Sequence, residues 1–159
     1  MTQRQDPRAL PPLISSAGRG MLVIQGIVPF GELSVPLLIE AVRTGHRGDQ
    51  VGVLHTLQIL MEGSSTEPYN IPPTPLSPAA RLRILQLARD LLRPRVGVWR
   101  DLPTEADLAL ATRDEELRQQ VESLAREPGL VAQFTGLGDA NEIARVQNAI
   151  RARLDRHKR

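Results

Sequence analysis

The sequence predicts an all-α protein. Its apolar residues recur at spacings of three and four along most of the chain, which is the period of an amphipathic α-helix. Prolines and glycines separate these segments, and no convincing run alternates apolar and polar residues as a strand would. Only four residues are aromatic, so the core must be mainly aliphatic, which suits helix-on-helix packing. We expect about seven or eight helices of ordinary length.

The composition excludes several classes of function. The chain has no cysteine, so disulfides, thiol catalysis and cysteine zinc sites are impossible. It holds 20 basic and 18 acidic residues, and the basic excess is concentrated in 81–100 and 145–159. We expect no membrane span, because no stretch approaches ~18–20 apolar residues, and prolines interrupt the N-terminus where a signal peptide needs an apolar run. We therefore expect a soluble cytoplasmic protein.

The first part of the chain is expected to form two helical pairs, 6–30 and 31–62. Asp6, with the proline that follows it, is typical of a helix start. The apolar run 21–28 fits a buried helix or a buried strand equally well, and we interpret it as a short helix because helices are predicted on both sides. In the second pair a glycine-rich turn joins two helices. Gly52, inside the second of these, indicates a close approach by a neighbouring helix.

The middle of the chain contains the one long irregular segment, residues 63–76. Four prolines in it forbid both a helix and a central strand. Ser77, again followed by proline, should begin a helix whose apolar stripe includes Leu82 and continues to Leu92. The β-prone stretch after this helix is expected to be an ordered connection with Trp99 as its anchor.

The third helical pair is expected over 77–126. Thr104 with Asp107 three residues later resembles a capping box, and Asp114 should cap the helix that follows. A C-terminal helix is expected over 139–157, where an acidic cap precedes apolar residues at helical spacing.

The stretch 35–60 resembles a HEAT repeat, the unit of armadillo-like α-solenoids. It has a Val-Pro-x-Leu-Leu first helix, a turn with aspartate, and a second helix that starts with valine and is rich in leucine. Gly52 stands where that family commonly has an arginine, so the usual Asp–Arg ladder lacks its arginine here. Weaker echoes of the pattern lie at 9–28 and 104–126. The matching positions are Val35, Pro36, Leu38, Asp49, Val51, Leu54 and Leu57.

The resemblance implies a right-handed α-α superhelix in which the helical pairs stack side by side in a single domain, 1–159. A compact helical bundle is the alternative. In solenoids the second helices line the concave surface, so the polar side of this chain's second hairpin helix would face a partner. The residues on that side are Gln50, His55, Gln58 and Glu62.

No combination of residues indicates catalysis. His46, His55 and His157 are the only histidines, and no two of them have metal-ligand spacing. The sequence also lacks the HExxH and G-x-S-x-G motifs. We therefore expect a protein that is not an enzyme and that uses no cofactor or metal.

A second candidate binding surface is a group of arginines around Trp99, opposed within 81–100 only by Asp90. Arginine and tryptophan are favoured at interface hot spots, and arginine also pairs with carboxylates and phosphates. The alternative is a solvated helix face with Trp99 buried in the core. The arginines of this group are Arg81, Arg83, Arg89, Arg93, Arg95 and Arg100.

These features predict a helical-repeat module or scaffold that binds another protein, whose identity the sequence does not give. The alternative is a nucleic-acid-binding helical protein that grips phosphates with its basic segments 81–100 and 145–159. Neither a membrane nor a small-molecule substrate is expected as a partner.

Replacing Leu54 by alanine should lower the free energy of unfolding by about 2–5 kcal/mol, because removal of a buried leucine leaves a cavity. The second hairpin helix should bury Leu54 on one stripe with Val51, Leu57, and Leu60 or Met61. Urea denaturation measures the change. A loss below about 1 kcal/mol would place Leu54 outside the core.

Overall fold

The computed structural model describes residues 6–44, 47–65 and 70–158, without the side chains of residues 47–49. The described chain is 76% helical. Its one β-type feature within these ranges is an isolated antiparallel bridge between Ser64 and Ile71. The all-α prediction is confirmed.

The α-helices follow one another in the order α1 (Leu10–Ser15), α2 (Met21–Ile27), α3 (Val35–Thr44), α4 (Arg47–Glu62), α5 (Pro78–Leu91), α6 (Leu102–Ala111), α7 (Glu115–Arg126), α8 (Pro128–Thr135) and α9 (Ala140–Arg156). Short 3₁₀ segments lie at Pro7–Ala9, Ala17–Arg19 and Val28–Ser34.

Two of these helices, α2 and α8, differ in whether the sequence predicted them. The helical interpretation of 21–28 is confirmed by α2. In contrast, α8 lies between the expected segments 77–126 and 139–157 and was not predicted. Pro128 is the first residue of α8, where its missing N–H removes no helical hydrogen bond.

The chain divides into two compact units, Met1–Ile84 and Leu85–Arg159, with the boundary inside α5. We call them the first and the second unit. The prediction of a single domain stays a prediction.

In the first unit α3 packs against α4, and α4 is buried around most of its circumference. Leu54, Leu57 and Leu60 are buried as the sequence predicted. Burial also extends beyond the expected stripe to Val53 and Ile59. The polar side of α4 is therefore a narrow strip.

The buried face of α5 agrees with the prediction at the end of the helix, where Leu91 is buried, and differs from it nearer the start. Leu82 was assigned to the apolar stripe, but it is 50% exposed, whereas Ile84 is fully buried in the first unit. In the second unit Leu87 and Leu92 are buried. Several leucines and an isoleucine lie close together along α5, so its sequence contains two overlapping apolar stripes, and packing selected the one that includes Ile84.

Gly52 lies directly against the backbone of the 3₁₀ turn Ala17–Arg19. A Cβ atom built on Gly52 would be 2.5 Å from the Ala17 carbonyl oxygen and 2.6 Å from the Gly18 nitrogen. Real Cβ atoms do not approach backbone atoms so closely. The predicted close approach at Gly52 is confirmed, although its partner is a turn and not another long helix.

One segment, Met21–Thr44, is long and apolar enough, by length and composition only, to cross a membrane: its best window has a mean hydropathy of 1.8, and 33% of that window is buried. Our expectation that no stretch has such a composition was therefore wrong. The segment is not one straight helix, because Gly31 (φ 59°, ψ −132°) interrupts it. Ile24 and Leu38, on the two sides of this break, are core residues of the first unit. The cytoplasmic location stays a prediction.

In the second unit α9 packs against α6, α7 and α8. Ile150 of α9, Leu108 of α6, Val121 of α7 and Val131 of α8 are all fully buried. One helix that contacts the three preceding helices is typical of a compact bundle. Within this unit the helices therefore pack as a small bundle.

Two of the predicted helix caps in the second unit are confirmed. The Asp114 carboxylate accepts a hydrogen bond from the Leu117 backbone N–H at 3.1 Å, at the start of α7. The Asp139 carboxylate likewise accepts from the Asn141 N–H at 2.7 Å, at the start of α9. Each cap satisfies an N–H group that has no partner within the helix.

The predicted capping box of Thr104 and Asp107 is wrong. The helix begins earlier, and Asp101 caps it by accepting from the Thr104 N–H at 3.1 Å. Asp107 lies inside α6 and is buried. Its carboxylate pairs with Arg156 at 3.1 Å and lies 3.8 Å from Nδ1 of His157. An aspartate that the sequence placed at a helix start thus ties α6 to the end of α9.

Replacing Gly52 by alanine should destabilise the first unit by about 1–3 kcal/mol, because the added methyl group has to displace backbone atoms of the Ala17–Arg19 turn. Gly26 provides the matched control, since its Cβ would meet only the flexible Leu13 side chain, at 3.4 Å. Gly26→Ala should change stability by less than about 1 kcal/mol. Thermal or urea unfolding of both variants measures the difference, and equal effects would contradict the close contact at Gly52.

Candidate functional site

The polar residues of α4 form a row of hydrogen bonds along one side of the helix. The His55 ring nitrogen Nδ1 lies 3.2 Å from Oε1 of Gln58, and Nε2 of Gln58 donates to Glu62 at 3.4 Å. Gln50 lies apart from this row, because its Nε2 donates to the Val42 carbonyl of α3 at 3.0 Å. All four side chains belong to half-buried residues. The predicted concave surface is therefore narrow, and its polar groups are largely bonded within the chain.

The arginine group does not lie on one solvated face. Arg81 and Arg83 are exposed in the first unit. In the second unit Arg89 pairs with Asp114 at 3.4 Å, and Arg93 lies 3.8 Å from Asp90. These exposed ion pairs contribute little to stability. The remaining two arginines, described next, point into the protein.

Arg100 is buried, with only 4% of its side chain exposed. Its Nη1 donates to the carbonyls of Arg93 at 2.7 Å and Phe134 at 2.9 Å. Its Nη2 donates to the Leu91 carbonyl at 2.9 Å and to Oε1 of Glu105 at 2.6 Å, and its Nε donates to the same oxygen at 3.0 Å. One guanidinium thus joins the end of α5, the end of α8 and the first turn of α6.

Glu105 provides the negative charge for this site. Its second oxygen, Oε2, accepts from Nη2 of Arg95 at 2.6 Å. Burial raises the pKa of the Glu105 carboxyl, while the positive charges of Arg100 and Arg95 oppose that rise. Buried ions are tolerated only when their partners are well placed, so this cluster depends on all its members.

The cluster of Arg95, Arg100 and Glu105 fixes the connection between α5 and α6. We call residues 94–99 of this connection the apolar loop. Its Val96 and Val98 side chains are 66% and 59% exposed, and Trp99 is 37% exposed. Trp99 is therefore not the buried anchor that the sequence indicated. The anchor is Arg100, the next residue.

Two glycines shape this loop. Gly97 has a φ of +81°, a left-handed conformation that glycine adopts without strain. Gly136, at the end of α8, is also left-handed, and a Cβ there would lie 2.8 Å from Cγ1 of Val96. One methyl group of Val96 therefore rests against Gly136 at the end of α8, while much of the residue remains in solvent.

Nothing in the described part of the chain forms a metal site, since no group of three or more His, Asp or Glu residues could hold an ion there. His55 and His157 take part in the hydrogen bonds and ion pair described above. His46 lies outside the described residues. What the apolar loop offers is contact between its apolar and aromatic side chains and a neighbouring molecule.

Sequence reasoning missed Glu105 and its role. One signal could have found it: α6 reads LPTEADLALA, so two acids, Glu105 and Asp107, occur in a mainly apolar helix. A charge at such a position is buried and requires a partner. The identity of that partner could not be read, because Arg95 and Arg100 are two of 19 arginines.

Comparison of the chain with protein-family models, with curated proteins and with solved structures finds no match. The geometry of its own residues is therefore the basis for assigning a function.

Replacing Arg100 by methionine should destabilise the second unit by about 3–5 kcal/mol, because it leaves Glu105 buried with one cation fewer. Arg93→Met is the control, since that side chain is 66% exposed and its loss should change stability by less than about 0.5 kcal/mol. Urea denaturation at neutral pH measures both. An Arg100→Met variant as stable as the control would contradict the buried pair.

The loss of unfolding free energy caused by Arg100→Met should also depend on pH. Because the folded pKa of Glu105 is raised, the group's own contribution to stability is complete below its unfolded pKa and is lost as the pH rises through the folded one. Removal of Arg100 raises the folded pKa of Glu105 further. The variant therefore loses more stability than the wild-type protein as the pH rises. The difference in unfolding free energy should be larger at about pH 8 than at about pH 4.5.

Proposed function

We propose that this protein is a non-enzymatic helical module that binds another protein through its apolar loop. The observation that carries the proposal is the pairing of an exposed apolar surface with a rigid base. Val96, Val98 and Trp99 point substantially into solvent, while Arg100 beside them is bonded to three backbone carbonyls and to Glu105.

The energetics favour such a role. Complete burial of a valine side chain stabilises by about 1.5–3 kcal/mol relative to full exposure, so a partner that covers the loop gains from each exposed side chain. Tryptophan is among the residues most enriched at interface hot spots. A loop that is already ordered loses little conformational entropy on binding. The buried cluster of Arg100 and Glu105 therefore supports tight binding by the short apolar loop.

The HEAT-like part of the proposal concerns the α3–α4 hairpin. We propose that α3 and α4 are one repeat-like unit within an array of the right-handed superhelical type. Their direct packing and the buried Leu38, Leu54 and Leu57 support this. Gly52 fits against the Ala17–Arg19 turn, which explains why an arginine of the usual ladder could not occupy that position. The strip of polar residues on α4 is then a secondary contact surface.

Nucleic-acid binding through 81–100 and 145–159 is the less favoured function. Arg95 and Arg100 are engaged by Glu105, and Arg156 pairs with Asp107. These three cations are therefore partly or wholly neutralised within the protein. A phosphate backbone requires cations that remain available to it.

The test is partner capture by the intact protein and by a Trp99→Ser variant. Specific partners of the wild-type protein should be lost, with affinity reduced by at least about 2 kcal/mol, because a hot-spot side chain has been removed. Because Trp99 is 37% exposed, urea unfolding of the variant is measured first, and capture is compared under conditions in which both proteins are folded. Quantitative mass spectrometry of the captured proteins provides the measurement.

Leu22→Ser is the matched control for this experiment, because Leu22 is also an exposed apolar side chain, at 72%, but lies in α2. It should leave capture unchanged. A photo-crosslinking residue at Val98 should then join the loop directly to the captured protein. Capture of the same proteins by the Trp99→Ser variant, with no crosslink from position 98, would contradict the proposal.

A further inference from the structure

A second feature of the second unit lies away from the apolar loop, in the cleft between α7 and α9. The two helices are joined there by side chains of α9, since Nε2 of Gln147 donates to the Leu124 carbonyl at 3.1 Å. The cleft has a volume of about 570 Å³. This is within the range of small-molecule sites, roughly 300–1,000 Å³.

The charges of the residues that line this cleft do not sum to zero. Four are basic and two are acidic, giving a net charge of 4 − 2 = +2. Glu122 pairs with Arg118 at 3.2 Å. Asp155 pairs with Lys158, also at 3.2 Å. The charges that remain uncompensated belong to the other two lining cations, Arg126 and Arg151.

Arg151 is held in place by neutral groups. Its Nη1 donates to Oδ1 of Asn148 at 2.9 Å, and its Nη2 donates to the Ala125 carbonyl at 2.8 Å. These contacts orient the guanidinium without cancelling its charge. The guanidinium of Arg126 makes no hydrogen bond or ion pair with any other residue in the described ranges, 6–44, 47–65 and 70–158. Arg126 of α7 and Arg151 of α9 thus line the same cleft with uncompensated positive charges.

We propose that the α7–α9 cleft binds a phosphate group between Arg126 and Arg151. A phosphate monoester carries a charge of about −1.5 to −2 at neutral pH, which matches the excess of this cleft. Guanidinium groups donate pairs of parallel hydrogen bonds to phosphate oxygens. The group comes from a small phosphate monoester or from the phosphodiester backbone of a nucleic-acid strand. The backbone phosphate carries less charge than a monoester, but both offer oxygens that guanidinium groups bind.

The experiment titrates inorganic phosphate, and then adenosine monophosphate, into the intact protein while its backbone amide resonances are followed by NMR. Saturable shifts are expected for residues 118–126 and 151–158. Arg126→Gln and Arg151→Gln should each weaken binding at least tenfold. Arg126 is exposed and makes no hydrogen bond or ion pair with its side chain among the described residues, so its variant tests the site even if Arg151→Gln is destabilised.

Arg145→Gln is the control, because Arg145 is an exposed arginine of α9 that does not line the cleft. It should bind phosphate as the wild-type protein does, and so should the Trp99→Ser variant, whose site is the apolar loop. Absence of saturable binding, or an equal loss in Arg145→Gln and Arg126→Gln, would overturn the proposal.

A single-stranded oligothymidylate separates the two sources of the phosphate. If the oligonucleotide binds at least tenfold more tightly than the mononucleotide, and Arg126→Gln lowers its salt slope by about 0.7, the group belongs to a nucleic-acid backbone. If it binds no more tightly, the group belongs to a small phosphoester. Either result keeps Arg126 and Arg151 as the phosphate contacts.

Discussion

The second unit depends on one buried ion cluster, in which Glu105 lies between two guanidiniums. Arg100 uses its planar donors on three backbone carbonyls as well as on Glu105, so a single side chain joins the ends of three helices. Lysine could not replace it, because an ammonium group is a point charge without this fork of donors. An apolar residue would remove these hydrogen bonds and leave the buried carboxylate with Arg95 as its remaining cation.

Much of the helical architecture was predictable from local patterns. The caps at Asp114 and Asp139 and the close approach at Gly52 were all read correctly, because each is a local backbone requirement. The errors arose where tertiary contacts decide. Asp107 has the spacing of a cap residue, yet its carboxylate is paired with Arg156, 49 positions along the chain.

The candidate site was predictable only in outline. Its composition, arginine around Trp99, was visible, but which side chains turn inward was not. Arg100 and Trp99 are neighbours, and the sequence contains nothing that assigns one to the interior and the other to the surface. That choice follows from Glu105 and from the carbonyl of Phe134, which approach only in the folded chain.

The contacts of Arg100 also determine how the apolar loop moves. A surface loop ordinarily opens by itself, independently of the helices around it. This loop is bonded to the carbonyl of Phe134 by both the Arg95 N–H and the Arg100 side chain. Opening of the loop at Arg95 therefore requires the loss of these contacts with the end of α8. We expect the Arg95 amide to exchange more slowly than the amide of a loop residue without such a bond.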